Sequence, residues 1–153
     1  MNVHRAKRGF GWGIIATLAM STLMLVGFLT GAAPMPRPIP EAVVSLVVGD
    51  VAPPIRMLSA VSAHLFYGGV FGALLAVTVD RMSARTGLAL GVALWIAMGV
   101  VVLPLVGWGF FGVGVTPKIA AATLVLHLIY GGVLGWALDR TSEATTSTTA
   151  TAG

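Results

Sequence analysis

The chain has 153 residues, of which 57% are hydrophobic and only 9% are charged. Soluble domains carry about 25% charged residues, so this composition excludes a soluble globular enzyme. The net charge is +4, but the cations are scattered singly near the ends of apolar stretches and form no basic face for a nucleic acid. The sequence has no cysteine, which excludes disulfides, thiolate metal sites and cysteine nucleophiles.

Four stretches are long and apolar enough to cross a bilayer, which takes about 20 residues. They predict membrane spans at about 10–31, 57–79, 87–106 and 118–138. A Pro-rich loop follows the first span, and the apolar segment within 34–54 is too short to cross, so it predicts an interfacial helix. The sequence therefore predicts an all-α protein with a four-helix membrane domain over 1–140 and a disordered Thr/Ser-rich tail over 141–153.

The positions of the cations predict the orientation of the spans. With a cytoplasmic N-terminus, the inner side holds six cations and the outer side three. The positive-inside rule then favours the cell membrane with both termini cytoplasmic. The basic head before the first span also resembles a signal peptide, but the apolar run is longer than the usual 7–15 residues.

A nine-residue segment of the second span is repeated in the fourth. Residues 64–72 and 127–135 are identical at seven of nine positions, including one His, one Tyr and three Gly. Each copy lies in the second half of a helical hairpin. We therefore predict two tandem hairpins with the same direction, related by a pseudo-two-fold axis along the membrane normal.

The pattern HLxYGxxxG in the second and fourth spans, with Leu94-Trp95 and the run 103–107 (LPLVG) in the third, resembles a known group of sequences. These are small uncharacterised four-helix membrane proteins of haloarchaea and some bacteria, similar to the YagU-like inner-membrane proteins. The resemblance covers nearly the whole chain except the tail. It implies a four-helix membrane fold and carries no assigned activity or catalytic residue.

Small residues four apart in the repeated segments predict sites of close helix packing. Such residues lie on one helix face and let two backbones approach each other in lipid. The repeated GxxxG pairs are Gly68 with Gly72 and Gly131 with Gly135. We call such a line of glycines on one helix face a glycine seam. The two seams would join the second helix to the fourth or join two protomers. Gly87 with Gly91 suggests a weaker seam on the third span.

Each copy also carries a histidine near the middle of its span, His64 or His127, and a tyrosine three residues later, Tyr67 or Tyr130. An ionisable group at this depth marks a candidate functional site. Both rings are expected to be neutral, because a low dielectric disfavours the imidazolium form. The structural interpretation is a polar network in which each ring bonds across helices, with the tyrosine phenols taking part.

Three classes of function stay open. The leading one is a non-enzymatic structural or assembly unit joined through the Gly seams. The second is an electron-transfer subunit in which His64 and His127 bind haem b, and the third is a small transporter or channel-like oligomer. No other metal site is expected, since two imidazoles underfill a zinc site, and no catalytic residue is expected, since the span interiors lack Asp, Glu and Lys. The expected partners are the lipid bilayer and a second membrane subunit, of the same or another kind, without nucleic acid.

Overall fold

The computed structural model describes residues 2–49 and 51–151, and beyond residue 141 it describes the backbone alone. Every regular element in these residues is helical. In chain order they are α1 (Val3–Leu29), α2 (Ile39–Val48), α3 (Pro53–Thr78), α4 (Ala84–Ala97), a π-helical segment (Met98–Val102), α5 (Leu103–Leu105), a 3-10 turn (Phe110–Gly112) and α6 (Lys118–Thr151).

Four of the helical stretches are long and apolar enough to cross a membrane, which indicates a membrane-spanning protein. They are Val3–Leu29, Pro53–Thr78, Ala84–Leu105 and Lys118–Thr141. α1 begins before the expected start at residue 10 because the Asn2 side chain accepts hydrogen bonds from the first free backbone N–H groups. α3 begins with two prolines, which lack N–H groups that would need a partner there.

The third apolar stretch changes its helical pitch before Pro104. Proline has no backbone N–H to donate to a carbonyl one turn earlier. The backbone N–H of Leu103 instead donates to the carbonyl of Met98, five residues back, and residues 98–102 form a π-helical segment. Such segments often occur at functional sites. Here the segment supplies Met98 and Val102 to the wall of a cavity.

The helices pack as two close pairs. α1 packs against α3, α4 packs against α6, and α1 also packs against α6. Among the described residues, α3 makes no comparable contact with α4. The end of the bundle that carries the N-terminus is held by Arg5, which donates to the carbonyl of Val79, and by Arg8, which donates to the carbonyl of Thr141.

The short helix α2 closes the opposite end of the bundle. Its buried side packs, with Met35, against residues from the end of the third apolar stretch, the loop after it and the start of α6: Met98, Leu103, Trp108 and Ile119. An ion pair of 3.0 Å between Glu41 and Arg56 ties α2 to α3. The opposite side of α2 is open, and Val47 is 83% exposed.

The backbone of α6 continues as a helix to Thr151, through most of the Thr/Ser-rich stretch for which the sequence predicts disorder. The side chains after Thr141 and the last two residues lie outside the described part of the chain. The disordered tail over 141–153 therefore stays a prediction.

Candidate functional site

The first glycine seam lies between α1 and α3. A Cβ on Gly13 would collide with the carbonyl of Gly68, and a Cβ on Gly68 would collide with the Thr17 side chain on α1. Gly72 is placed in the same way against Gly9. The α1 partners, Gly9 and Gly13, were missed by the sequence analysis, although their spacing of four is itself a GxxxG pair.

The second seam lies between α4 and α6. A Cβ on Gly131 would collide with the backbone of Gly87, and a Cβ on Gly91 would collide with the carbonyl of His127. Gly135 lies against Ser83 and Gly87. All four glycines of the repeated GxxxG pairs therefore pack within their own hairpin, and none of these contacts joins α3 to α6.

His64 and His127 line one cavity of about 220 Å³ at the α2 end of the bundle. His127 is 8% exposed and His64 is partly buried. The remaining wall is mostly apolar and comes from five elements: α1, α2, α3, the π-helical segment and α6. The structure thus brings the two histidines of the repeated segments to the same site.

Both rings are oriented by hydrogen bonds at Nδ1. His127 Nδ1 lies 2.8 Å from the carbonyl oxygen of Thr123, one turn earlier on α6. A carbonyl only accepts, so the proton of the neutral ring lies on Nδ1 and the lone pair on Nε2. His64 Nδ1 lies 3.1 Å from the hydroxyl of Ser21 on α1, a partner that the sequence analysis did not name.

The two tyrosines have different surroundings. Tyr130 is 3% exposed, and its hydroxyl donates to the carbonyl of Gly68 at 2.7 Å, which links α6 to α3. Tyr67 is 44% exposed and packs its ring against Phe71 at 4.7 Å between centroids. Of the two tyrosines, only Tyr130 has a hydrogen bond across helices among the described contacts, whereas only Tyr67 lines the cavity.

A smaller void of about 30 Å³ continues the site toward the N-terminal end, and it is lined by both histidines, Tyr67 and Tyr130. Beyond it lies an apolar core formed by α1, α3, α4 and α6, with Ala16, Leu75 and Leu134 among its buried members. The site therefore has polar side chains at its base and ends against the packed core.

The donor set limits which groups this site can hold. Within the described residues, no three His, Asp or Glu side chains lie close enough together to hold a metal ion. Among the described residues that line the cavity none is a carboxylate, but three are methionines: Met20, Met24 and Met98. The site thus offers two imidazoles and three thioethers in an otherwise apolar wall.

Comparison with known proteins identifies the family of the chain. No curated protein and no solved structure matches it. Residues 3–149 match the family described as "Family of unknown function (DUF6789)". That match includes all four membrane-capable helices and both glycine seams. The chain therefore belongs to the DUF6789 family.

Proposed function

We propose that this chain is a polytopic protein of the cell membrane that binds a small ligand between His64 and His127. The observation that carries the proposal is the convergence of both imidazoles on one cavity. The two glycine seams provide the frame, because close backbone contact within each hairpin fixes the helices from which the rings project.

The depth of the two rings supports a specific role. His64 lies eleven residues after the start of α3, and His127 lies nine residues after the start of α6. At ~1.5 Å per residue both rings lie roughly 14–16 Å along their helices, about half of a ~30 Å hydrocarbon core. Ionisable side chains at that depth are costly, and they concentrate at functional sites.

Binding is favoured over passage across the membrane. A channel or transporter needs a polar path to the opposite side of the bilayer. The cavity ends at the small void around Tyr130, and the apolar core around Leu134 fills the bundle beyond it. A cavity that ends against the packed core can hold a ligand, but it provides no path across the membrane.

Haem b does not fit this site. The cavity of about 220 Å³ is smaller than the ~300–1,000 Å³ of sites that enclose drug-sized ligands, and a porphyrin is larger still. In the haem hypothesis Arg56 and Lys118 would meet the propionates, and Arg56 is already paired with Glu41. The proposed ligand is therefore a small molecule or an ion.

An assembly role through the Gly seams receives less support than ligand binding. Gly68, Gly72, Gly131 and Gly135 all pack against their own chain, so they offer no surface to a second protomer. A partner subunit would have to use another face of the bundle.

We also infer that the two hairpins arose by duplication, as the repeated segments suggest. A glycine seam of the same kind occurs in each hairpin, which supports the inference. The contact of α1 with α6 has no counterpart of similar extent between α3 and α4 in the described residues. The pseudo-two-fold relation is therefore proposed for the seams and not for the whole bundle. The similarity to YagU-like proteins also stays a proposal.

Native mass spectrometry of the protein, released from its own membranes in mild detergent, tests the ligand proposal. The wild type is expected to carry one adduct, and His64→Ala and His127→Ala are expected to lose it. His4→Ala is the matched control, since His4 lies on the exposed first turn of α1 and outside the cavity. Identical spectra for all four proteins would contradict the proposal.

We propose that both termini face the cytoplasm. The side that carries the N-terminus holds six of the nine cations, and the positive-inside rule favours the cytoplasm for that side. A fluorescent reporter that folds only in the cytoplasm should be bright at the C-terminus. An exported enzyme reporter should be active only when inserted next to α2. The reverse pattern, or loss of the first span from the mature chain, would overturn this orientation.

A further inference from the structure

We propose that the ligand of this cavity is a soft monovalent metal ion, Cu(I), held by imidazole and thioether groups. The inference rests on the proposed ligand-binding function and names the ligand class. It follows from the donor atoms around the cavity, the hydrogen bonds at Nδ1 of the two rings and the charge of the wall.

The donor atoms are those that soft metals prefer. Met20, Met24 and Met98 line the cavity together with the two histidines. Thioether sulfur selects Cu(I) over divalent ions, and imidazole also suits copper. Hard cations such as Mg²⁺ and Ca²⁺ require several oxygen ligands, and the lining residues that the structure describes include no carboxylate to provide them.

The histidines have the orientation typical of metal ligands. A metal-binding histidine usually bonds its other ring nitrogen to a carbonyl, carboxylate or water, which fixes the ring and its tautomer. His127 bonds the Thr123 carbonyl through Nδ1, and the Nδ1 of His64 bonds the Ser21 hydroxyl. The Nε2 of His127 then carries the lone pair for the ion, and the Ser21 hydroxyl can accept the Nδ1 proton of His64 and so leave the Nε2 of that ring for the ion as well.

The charge of the site favours a monovalent ion. Burying an unpaired charge costs far more than burying a neutral group, and the cost rises with the charge of the ion. All five donors are uncharged, so a bound ion keeps its full charge at mid-membrane depth. A single positive charge is the smallest that a metal ion can carry there.

The methionines can adapt the cavity to an ion much smaller than its volume. Met20 and Met98 are 7% and 8% exposed, one on α1 and the other in the π-helical segment across the cavity. A methionine side chain has three rotatable bonds and a polarizable sulfur, so it can move inward at little cost. The Pro104-induced π-helical segment is what supplies Met98 to this wall.

The test is a Cu(I) titration of the purified full chain in detergent, under reducing conditions, against a chromogenic Cu(I) chelator. The wild type is expected to bind one Cu(I) per chain. Met98→Leu and His127→Gln are expected to weaken binding at least tenfold. Met57→Leu and His4→Gln are the matched controls, since both residues are exposed and outside the cavity, and binding should not change.

Other outcomes separate this inference from the proposed function. Failure of the wild type to bind Cu(I), equal binding by all variants, or displacement of Cu(I) by equimolar Zn²⁺ would overturn the copper assignment. An organic adduct in the native mass spectrum would overturn it while leaving the ligand site intact. Absence of any adduct, with no Cu(I) binding, would overturn both. Because Met→Leu nearly conserves volume, folding of the Met98 variant is not at risk.

Discussion

Replacing Gly131 with alanine is expected to destabilise the protein, whereas the same change at Gly132 is expected to leave it folded and stable. A Cβ on Gly131 collides with the backbone of Gly87, and a helix backbone cannot rotate away as a side chain can. Overpacking of this kind costs about 1–3 kcal/mol or more. A Cβ on Gly132 lies 3.7 Å from Leu88 Cδ2, which is ordinary contact, so its effect stays within about 1 kcal/mol.

A second matched pair tests the seam between α1 and α3. Gly13→Ala should cost about as much as Gly131→Ala, because its Cβ collides with the backbone of Gly68. Gly11→Ala is the control on the same helix, where nothing lies within 4 Å of the added Cβ. Unfolding midpoints in mixed detergent would show the order. Equal midpoints for Gly11→Ala and Gly13→Ala would rule out close packing at this seam.

Reversing the charge of Glu41 is expected to detach α2 from the bundle. The Glu41 and Arg56 side chains are only 15% and 25% exposed, so two arginines there would repel each other with little solvent screening. Allowing for that residual exposure, we expect Glu41→Arg to favour the detached state by about 2 kcal/mol. The double exchange Glu41→Arg with Arg56→Glu should restore the attached state.

The chain has no cysteine, so a single introduced thiol reports on α2 without background. Val44 is 8% exposed and lines the cavity, and a cysteine at this position should react slowly with a thiol reagent. Glu41→Arg should accelerate the reaction about 30-fold, which corresponds to 2 kcal/mol. A cysteine at Val47, 83% exposed, should react quickly in every background. An unchanged rate at Val44 in Glu41→Arg would show that the ion pair does not hold α2.

The sequence was sufficient for the helical class and for the approximate positions of the four long helices. In lipid every backbone group must be bonded within the protein, so only helices and closed barrels span a membrane, and uninterrupted apolar stretches of about 20 residues indicate helices. Asn2 and the two prolines before Ile55 account for the earlier starts of α1 and α3, because caps act over a few residues. The apolar composition of a 20-residue window does not detect these capping residues.

The candidate site was only partly predictable. The repeated segments pointed to His64 and His127, and the structure places both on one cavity. The pairing of the glycine seams was not predictable, because a GxxxG pair marks a face and does not name its partner helix. Ser21, Met20 and Met98 were not predicted as site residues, since in an apolar sequence they are indistinguishable from ordinary lipid-facing or core residues. Tertiary packing alone brings them beside the histidines.

The most direct test of the histidine site is ligand occupancy measured by native mass spectrometry in the wild type, the two single variants and the double variant His64→Ala/His127→Ala. If the two rings hold one ligand between them, each single change should abolish the adduct as completely as the double change, because the pair acts as a unit. Partial occupancy in each single variant, with full loss only in the double variant, would show that the rings act independently and would contradict a shared site.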